Sequence, residues 1–368
     1  MDEGRTDVAE PKTPRSTKSL VRGAAGAVLA SAFAIFVIMR LTGGREGWAS
    51  LFRVDPVSLG VAGSLVAAGW VLEAVRIEML VRALGGRLGF MSALRIALAG
   101  AFVACVTPFD TGGEPLQVYL LHRQGIGAGE STAVVAVKTI VSSLARLGLA
   151  LVFPVWYIVG RRSWDLPGRL EAALFVGLVL YVLVLALIGF FALYPESVGA
   201  VLRRVLRNRR VSKIIPAHAA DSFLEKLKAE VAGFRAASRT FVRERRPALV
   251  AVSALSLLSW AMAFFIPVLL LRGLGVDPPF AQTMGIAGIF YLAAAYAPTP
   301  GSSGAAEASL AVLFGAIVPF RLLGVFVLLW RGLTYYLTLL VGAVAVAASY
   351  LHGGTRRSNG DGRRKSPG

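Results

Sequence analysis

Four ionisable residues stand where their surroundings are otherwise apolar or small. Glu114 and Glu307 each follow a Pro/Gly-rich interruption, and Lys138 and Arg331 each lie 24 residues after their glutamate. A charge surrounded by hydrocarbon is expensive and is kept where it faces a cavity or a partner. Two roles compete. Each glutamate pins its neighbouring helix through a structural pair with the cation, or the cations bind an anionic group of a ligand. One residue can serve both at different steps. Arg331, Thr334, Tyr335 and Thr338 share a stripe at helical spacing, as do Lys138 and Ser142, with Arg146 on the adjacent face.

The first interruption reads Thr107-Pro108-Phe109-Asp110-Thr111-Gly112-Gly113-Glu114-Pro115. The second reads Ala297-Pro298-Thr299-Pro300-Gly301-Ser302-Ser303-Gly304-Ala305-Ala306-Glu307. Pro108, Pro298 and Pro300 break the incoming helices, because proline lacks a donor and clashes with the preceding turn. Gly112, Gly113, Gly301 and Gly304 permit the backbone reversal. Ser302 or Ser303 is placed to cap the outgoing helix, whose first-turn N–H groups favour an anion. Phosphate or carboxylate is the chemistry this arrangement suits. Asp110 has no acidic counterpart in the second interruption and is the weaker candidate. Glu73 and Arg76, three residues apart, read as a local structural pair.

Catalysis is not indicated. His122, His218 and His352 show no metal-ligand spacing, and no Ser-His-Asp arrangement is apparent. Cys105 is the only cysteine, and there is no G-x-x-x-x-G-K-S/T loop for ATP. No catalytic residue, metal or cofactor is assigned.

The elements that must position these residues are membrane helices. Hydrophobic residues make up 56% of the 368 and charged ones 16%, against about 25% charged in soluble domains. Full spans fit at 21–42, 57–84, 131–159, 170–194, 248–271 and 321–350, each near or above the ~20 residues that cross a bilayer. The first lies behind a polar tail and does not read as a cleavable signal. Segments 90–107 and 281–297 each end in an interruption. The segments that follow, 113–122 and 303–317, are roughly 15 and 22 Å long, too short to span comfortably. Each pair reads as a helix–break–helix hairpin that re-enters or crosses twice. The expected fold is an all-α, polytopic integral membrane protein.

Two halves of the chain resemble one another. Trp70 and Trp260, Leu80 and Leu270, Arg82 and Arg272, Phe90 and Phe280, and Pro108 and Pro298 are all 190 positions apart. After the interruption the offset becomes 193, pairing Glu114 with Glu307 and Lys138 with Arg331. The net charge is +18, and basic residues cluster beside the apolar runs, with Lys12, Arg15 and Lys18 in segment 1–20 and larger groups in 196–246 and 351–368. Basic residues beside apolar runs are a positive-inside signal rather than a nucleic-acid surface. With those segments cytoplasmic, an even number of crossings separates them, and the repeats (about 21–159 and 170–350) are inverted. Within 196–246, Leu224, Leu227, Val231, Phe234 and Phe241 form an apolar stripe, expected to lie amphipathically on anionic lipids of the inner leaflet.

The run Pro108 to Glu114, the run Pro298 to Glu307 and the stretch Trp330-Arg331-Gly332-Leu333-Thr334-Tyr335-Tyr336 resemble the transmembrane region of lysylphosphatidylglycerol synthases, the flippase-like UPF0104 family. The resemblance covers about residues 20–350. Asp110 and Lys138 stand where that family carries arginines, and lysine lacks arginine's bidentate fork. The resemblance implies lipid translocation without the synthases' soluble aminoacyl-transfer domain, so synthase activity is not expected. A flippase for a polar-headed, anionic or phosphate-bearing lipid of the cytoplasmic membrane is therefore the leading expectation. Its partners would be membrane lipids, with a lipid-modifying enzyme or a second copy as further candidates. A membrane-embedded transferase or a non-catalytic accessory protein is the alternative.

Overall fold

The computed structural model describes residues 17–42, 44–159, 183, 186, 232–234, 236–241, 243–294, 297 and 299–358. The expected span 170–194, most of the basic segment 196–246 and Pro298 lie outside the described residues.

Among the described residues there is no strand. The helices are α1 Thr17–Thr42, α2 Gly44–Leu51, α3 Pro56–Ala83, α4 Phe90–Val106, α5 Gly113–Arg123 and α6 Ala128–Val159. They continue with α7 Arg246–Gly273, α8 Phe280–Ala294, α9 Ala305–Phe314 and α10 Phe320–Arg331. A π-helical turn, Gly332–Tyr336, then leads into α11 Leu337–Ser358.

Among the described residues, five stretches are long and apolar enough to cross a membrane: Ala25–Thr42, Pro56–Ala83, Ala128–Val152, Arg246–Gly273 and Phe320–Ala347. Their outward faces carry Leu29, Phe33, Val250 and Leu340, each at least 66% exposed. Such a surface suits hydrocarbon rather than water, because lipid carries no penalty for apolar contact. The chain is thus a multi-pass, all-α membrane protein.

Local chemistry explains where the long helices begin and end. Asp55 caps α3 by accepting from the backbone N–H of Val57 and Ser58, and proline occupies the first turn of both α3 and α7. Both helices run 28 residues and end in Leu-Gly, with Gly85 at φ 81° and Gly275 at φ 75°, the left-handed stop that glycine makes without strain. The Asp55 N–H donates to the Gly273 carbonyl at 2.9 Å, and Arg76 reaches Ser256 at 2.9 Å. Helices α3 and α7 therefore lie side by side and antiparallel.

The short helices cross between halves. Helix α4 packs on α11, and α8 packs on α6. Small residues let both crossings close up. A Cβ on Gly342 would stand 2.7 Å from the Phe102 Cβ, and one on Gly288 would stand 2.8 Å from the Ala150 Cα. Small residues at crossings are how membrane helices gain contact where no hydrophobic effect drives them together. Among the described residues, one buried cluster gathers α7–α10 with Ile35 and Met39 of α1, Ala62 and Val66 of α3 and Ala150 of α6, and another gathers mainly α3–α6 with Val252 of α7. Phe234, Ala237 and Phe241 belong to the second cluster, with Phe241 fully buried. That end of the apolar stripe meets protein rather than the leaflet expected from sequence.

Candidate functional site

The two interruptions come together. Pro108 lies opposite Pro300 in an isolated antiparallel bridge. Helix α4 stops at Val106, and the Thr107 hydroxyl turns back to the Val103 carbonyl at 2.9 Å. The first reversal is then made by Phe109 (φ 56°) and Asp110 (φ 54°), not by the glycines expected to make it. Gly112 and Gly113 serve close approach instead. A Cβ on Gly112 would sit 2.6 Å from Thr107 Cγ2, and one on Gly113 would sit 2.8 Å from the Gly100 carbonyl oxygen. Missing side chains thus let α5 lie against α4. The second reversal uses Gly301 (φ 57°), Ser302 (φ 55°) and Gly304 (φ 83°).

Neither serine caps α9, contrary to the sequence expectation. The Ser302 hydroxyl donates to the Ala294 carbonyl at 2.9 Å, satisfying the end of α8 instead, and Ser303 faces the Tyr335 hydroxyl at 3.5 Å. The cap position is Gly304, whose N–H donates to Glu307 Oε2 at 2.6 Å. This is the backward half of a capping box, which needs no side chain at the cap. The anion that the helix start favours is therefore the protein's own Glu307.

Glu307 is fully buried and heavily partnered. Arg331 Nε donates to its Oε1 at 2.8 Å, and the Ser31 hydroxyl of α1 donates to the same oxygen. Arg331 also donates to the Gly301 carbonyl at 3.1 Å and lies 4.0 Å above the Tyr335 ring. Tyr336 donates to Ser31 at 2.8 Å, and Tyr335 to the Cys105 carbonyl at 3.4 Å. The π turn places these neighbouring tyrosines, one toward α4 and one toward α1. Trp330, 1% exposed, anchors the helix just before Arg331, packing edge-on against Phe290, Phe314 and Phe326. Here the glutamate–cation pair, one of the two roles left open by the sequence, is present.

The first half departs from the expectation. Lys138 pairs with Glu73 at 2.5 Å and with the Gln117 side-chain oxygen at 2.6 Å, not with Glu114. Glu73 also takes its expected partner Arg76. Glu114 makes no ion pair among the described residues.

Between these two networks lies a cavity of about 780 Å³. Of the residues expected to bind a ligand, Glu114, Lys138, Arg146, Gly301, Ser302, Arg331 and Tyr335 line it. Gly112, Gly113, Ser303, Gly304 and Glu307 do not, and Glu307 stands behind Arg331. Sequence reasoning missed Glu73, read as purely structural, and underweighted Asp110; both line the cavity. It also missed the aromatic wall of Trp260, Phe290 and Tyr291. The matched Trp70 and Trp260 were the available signal. Arg146 lies 4.9 Å over the Trp260 ring, whose Nε1 donates to Ser142 at 2.9 Å. Among the described residues no group of His, Cys, Asp and Glu is placed to hold a metal ion.

Interrupted helices, apposed breaks and a charged cavity inside an apolar bundle define a multi-pass α-helical membrane protein built around a polar site. Sequence comparison assigns the family. The chain belongs to the lysylphosphatidylglycerol synthase TM region family, whose profile matches residues 24–342. It is also 28% identical over 324 residues to a UPF0104 membrane protein of Archaeoglobus fulgidus, covering 88% of this chain and 96% of that one.

Proposed function

We propose that the protein is a lipid flippase, moving a lipid with a phosphate-bearing head-group across the cytoplasmic membrane with both chain termini on the cytoplasmic side. The observation that carries this reading is the cavity between the apposed breaks, where Lys138, Arg146 and Arg331 gather inside an apolar bundle. Moving a bare charge into hydrocarbon costs tens of kcal/mol by Born estimates. A cavity offering cations, hydroxyls and aromatic faces replaces much of that lost hydration, while acyl chains stay in the lipid outside.

The family name supports a lipid connection, since it refers to a phospholipid-modifying synthase. The antiparallel α3 and α7, and the exchanged contacts of α4 with α11 and α8 with α6, support two inverted halves with hairpins that re-enter. Inverted halves are the usual means of opening one site to each side in turn. In this reading Lys138, Arg146 and Arg331 meet the phosphate, with Glu114, Gly301, Ser302 and Tyr335 beside it. Glu307, Ser303, Gly304, Gly112 and Gly113 hold the breaks from behind.

The test is reconstitution of the purified full chain in liposomes carrying a fluorescent phospholipid, with an impermeant quencher reporting its transfer between leaflets. Transfer without partner proteins or an added donor is the expected result. Chemical alteration of the lipid would favour a transferase, and inert liposomes an accessory role.

A further inference from the structure

Lys138 and Arg331 occupy matched places in the two halves, yet they are held in different ways. Arg331 faces a carboxylate from the neighbouring hairpin, and the pair is dry, with side chains 8% and 0% exposed. Ser31 of α1 donates to the same carboxylate oxygen as Arg331, and the Gly304 N–H donates to the other, so both oxygens of Glu307 are engaged. Lys138 instead takes its carboxylate from α3, and that carboxylate is 22% exposed and lines the cavity beside it. Glu73 has a second cation in Arg76, which is anchored in turn on Ser256. The hairpin acid of this half, Glu114, stands on the cavity wall.

We propose that Glu73 is a built-in competitor for the head-group phosphate: it holds Lys138 between rounds of binding and yields it to the incoming anion. This rests on the lipid-binding reading above. The exchange is physically cheap for three reasons. An ammonium on a flexible stem can swing between two acceptors without the fixed fork geometry of arginine. Lys138 trades one charge-assisted bond for another and is never left buried without a counter-charge. Glu73, once released, remains neutralised by Arg76. The consequence is weakened binding, because apparent affinity falls by the fraction of time Lys138 is free. A carrier that must also let go gains from that weakening. Arg331 lacks these features, since losing Glu307 would strand a fully buried carboxylate, so its pair stays closed.

The single cysteine, Cys105, lines the same cavity and supplies the readout. The detergent-solubilised full chain is alkylated with N-ethylmaleimide during titration with dihexanoyl phosphatidylglycerol, with glycerol phosphate and inorganic phosphate in parallel arms. Lipid is expected to protect Cys105 in the wild type. In Glu73→Gln the half-protecting concentration should fall about tenfold, while lipid transfer in liposomes slows because release is slower. Glu73→Asp keeps a carboxylate for Arg76 and withdraws it from Lys138, so it should shift the midpoint the same way by less, with an unchanged melting temperature. Unchanged or weaker protection in both variants would reduce Glu73 to a structural counter-charge and overturn the inference. Equal protection by inorganic phosphate would overturn the lipid reading, whereas a Glu73→Gln shift in that arm would still support the competitor role. A wild type protected by none of the probes would defeat the lipid-binding reading and this inference with it.

Discussion

At the scale of single residues, the Glu307–Arg331 pair is the sharpest case of charge kept at a cost. Both side chains are almost wholly removed from solvent, so deleting one partner strands the other. Glu307→Leu or Arg331→Met alone should destabilise the protein by about 3–5 kcal/mol, as breaking buried ion pairs does. The double variant Glu307→Leu with Arg331→Met should recover most of that loss. Melting curves of the purified protein, read as a double-mutant cycle, check both statements. Additive losses would mean that the two residues act independently. Equal spacing from two interruptions marked these two residues in the sequence, where their pairing was one of two roles left open. It could not identify the partner of Lys138, because Glu73 lies 65 positions away and only the approach of α3 to α6 brings them together. Nor could it show that Glu307 faces inward, since a helical stripe tells which residues align but not which neighbour they meet.

At the scale of elements, the breaks and caps are where local chemistry can be tested. Phe109 is a bulky residue in left-handed backbone, and its ring is half-exposed. Phe109→Gly should relieve strain and raise stability by about 1 kcal/mol. Ser302→Gly should bring no such gain, because Ser302 ties the end of α8 through its hydroxyl. A higher melting temperature for the first variant only is the expected pattern. The α3 cap adds a pH effect. Hydrogen bonds from the Ser58 hydroxyl and backbone N–H, then from Val57, hold the Asp55 carboxyl below its ordinary value of 3.8. A depressed folded-state pKa means stabilisation that is complete above the unfolded value and lost as pH falls through the folded one. Acid melting below about pH 4 should therefore be less steep in Asp55→Ala than in the wild type. Long spans and both interruptions were legible in the sequence because length, proline and glycine act locally. The π turn was not, since its wider backbone bond, from the Leu337 N–H to the Gly332 carbonyl, leaves no mark in residue type, and Tyr335 and Tyr336 are held by remote contacts.

At the scale of the whole molecule, the cavity exists because two remote interruptions meet. Length and hydropathy mark which helices a chain can lay through a bilayer, and the repeated offset of 190 is the ground for expecting two duplicated halves. Neither reveals that α4 lies on α11 and α8 on α6, the exchange that carries Pro108 to Pro300. If transport opens the site alternately to each side, the two hairpins must separate at that contact during the cycle, because they form one wall of the cavity together. Residues opposed in an antiparallel bridge have Cα atoms about 4.5–5.5 Å apart, within the 4.4–6.8 Å that a disulfide spans. Pro108→Cys with Pro300→Cys, made with Cys105→Ala to leave one reactive pair, should therefore cross-link on mild oxidation. The oxidised protein is expected to retain binding of a fluorescent phosphatidylglycerol in detergent, read by anisotropy, yet to lose transfer in liposomes. Reduction should restore transfer. Full transfer by the oxidised form would mean that the breaks stay joined throughout, leaving the moving boundary to be sought between α3 and α7.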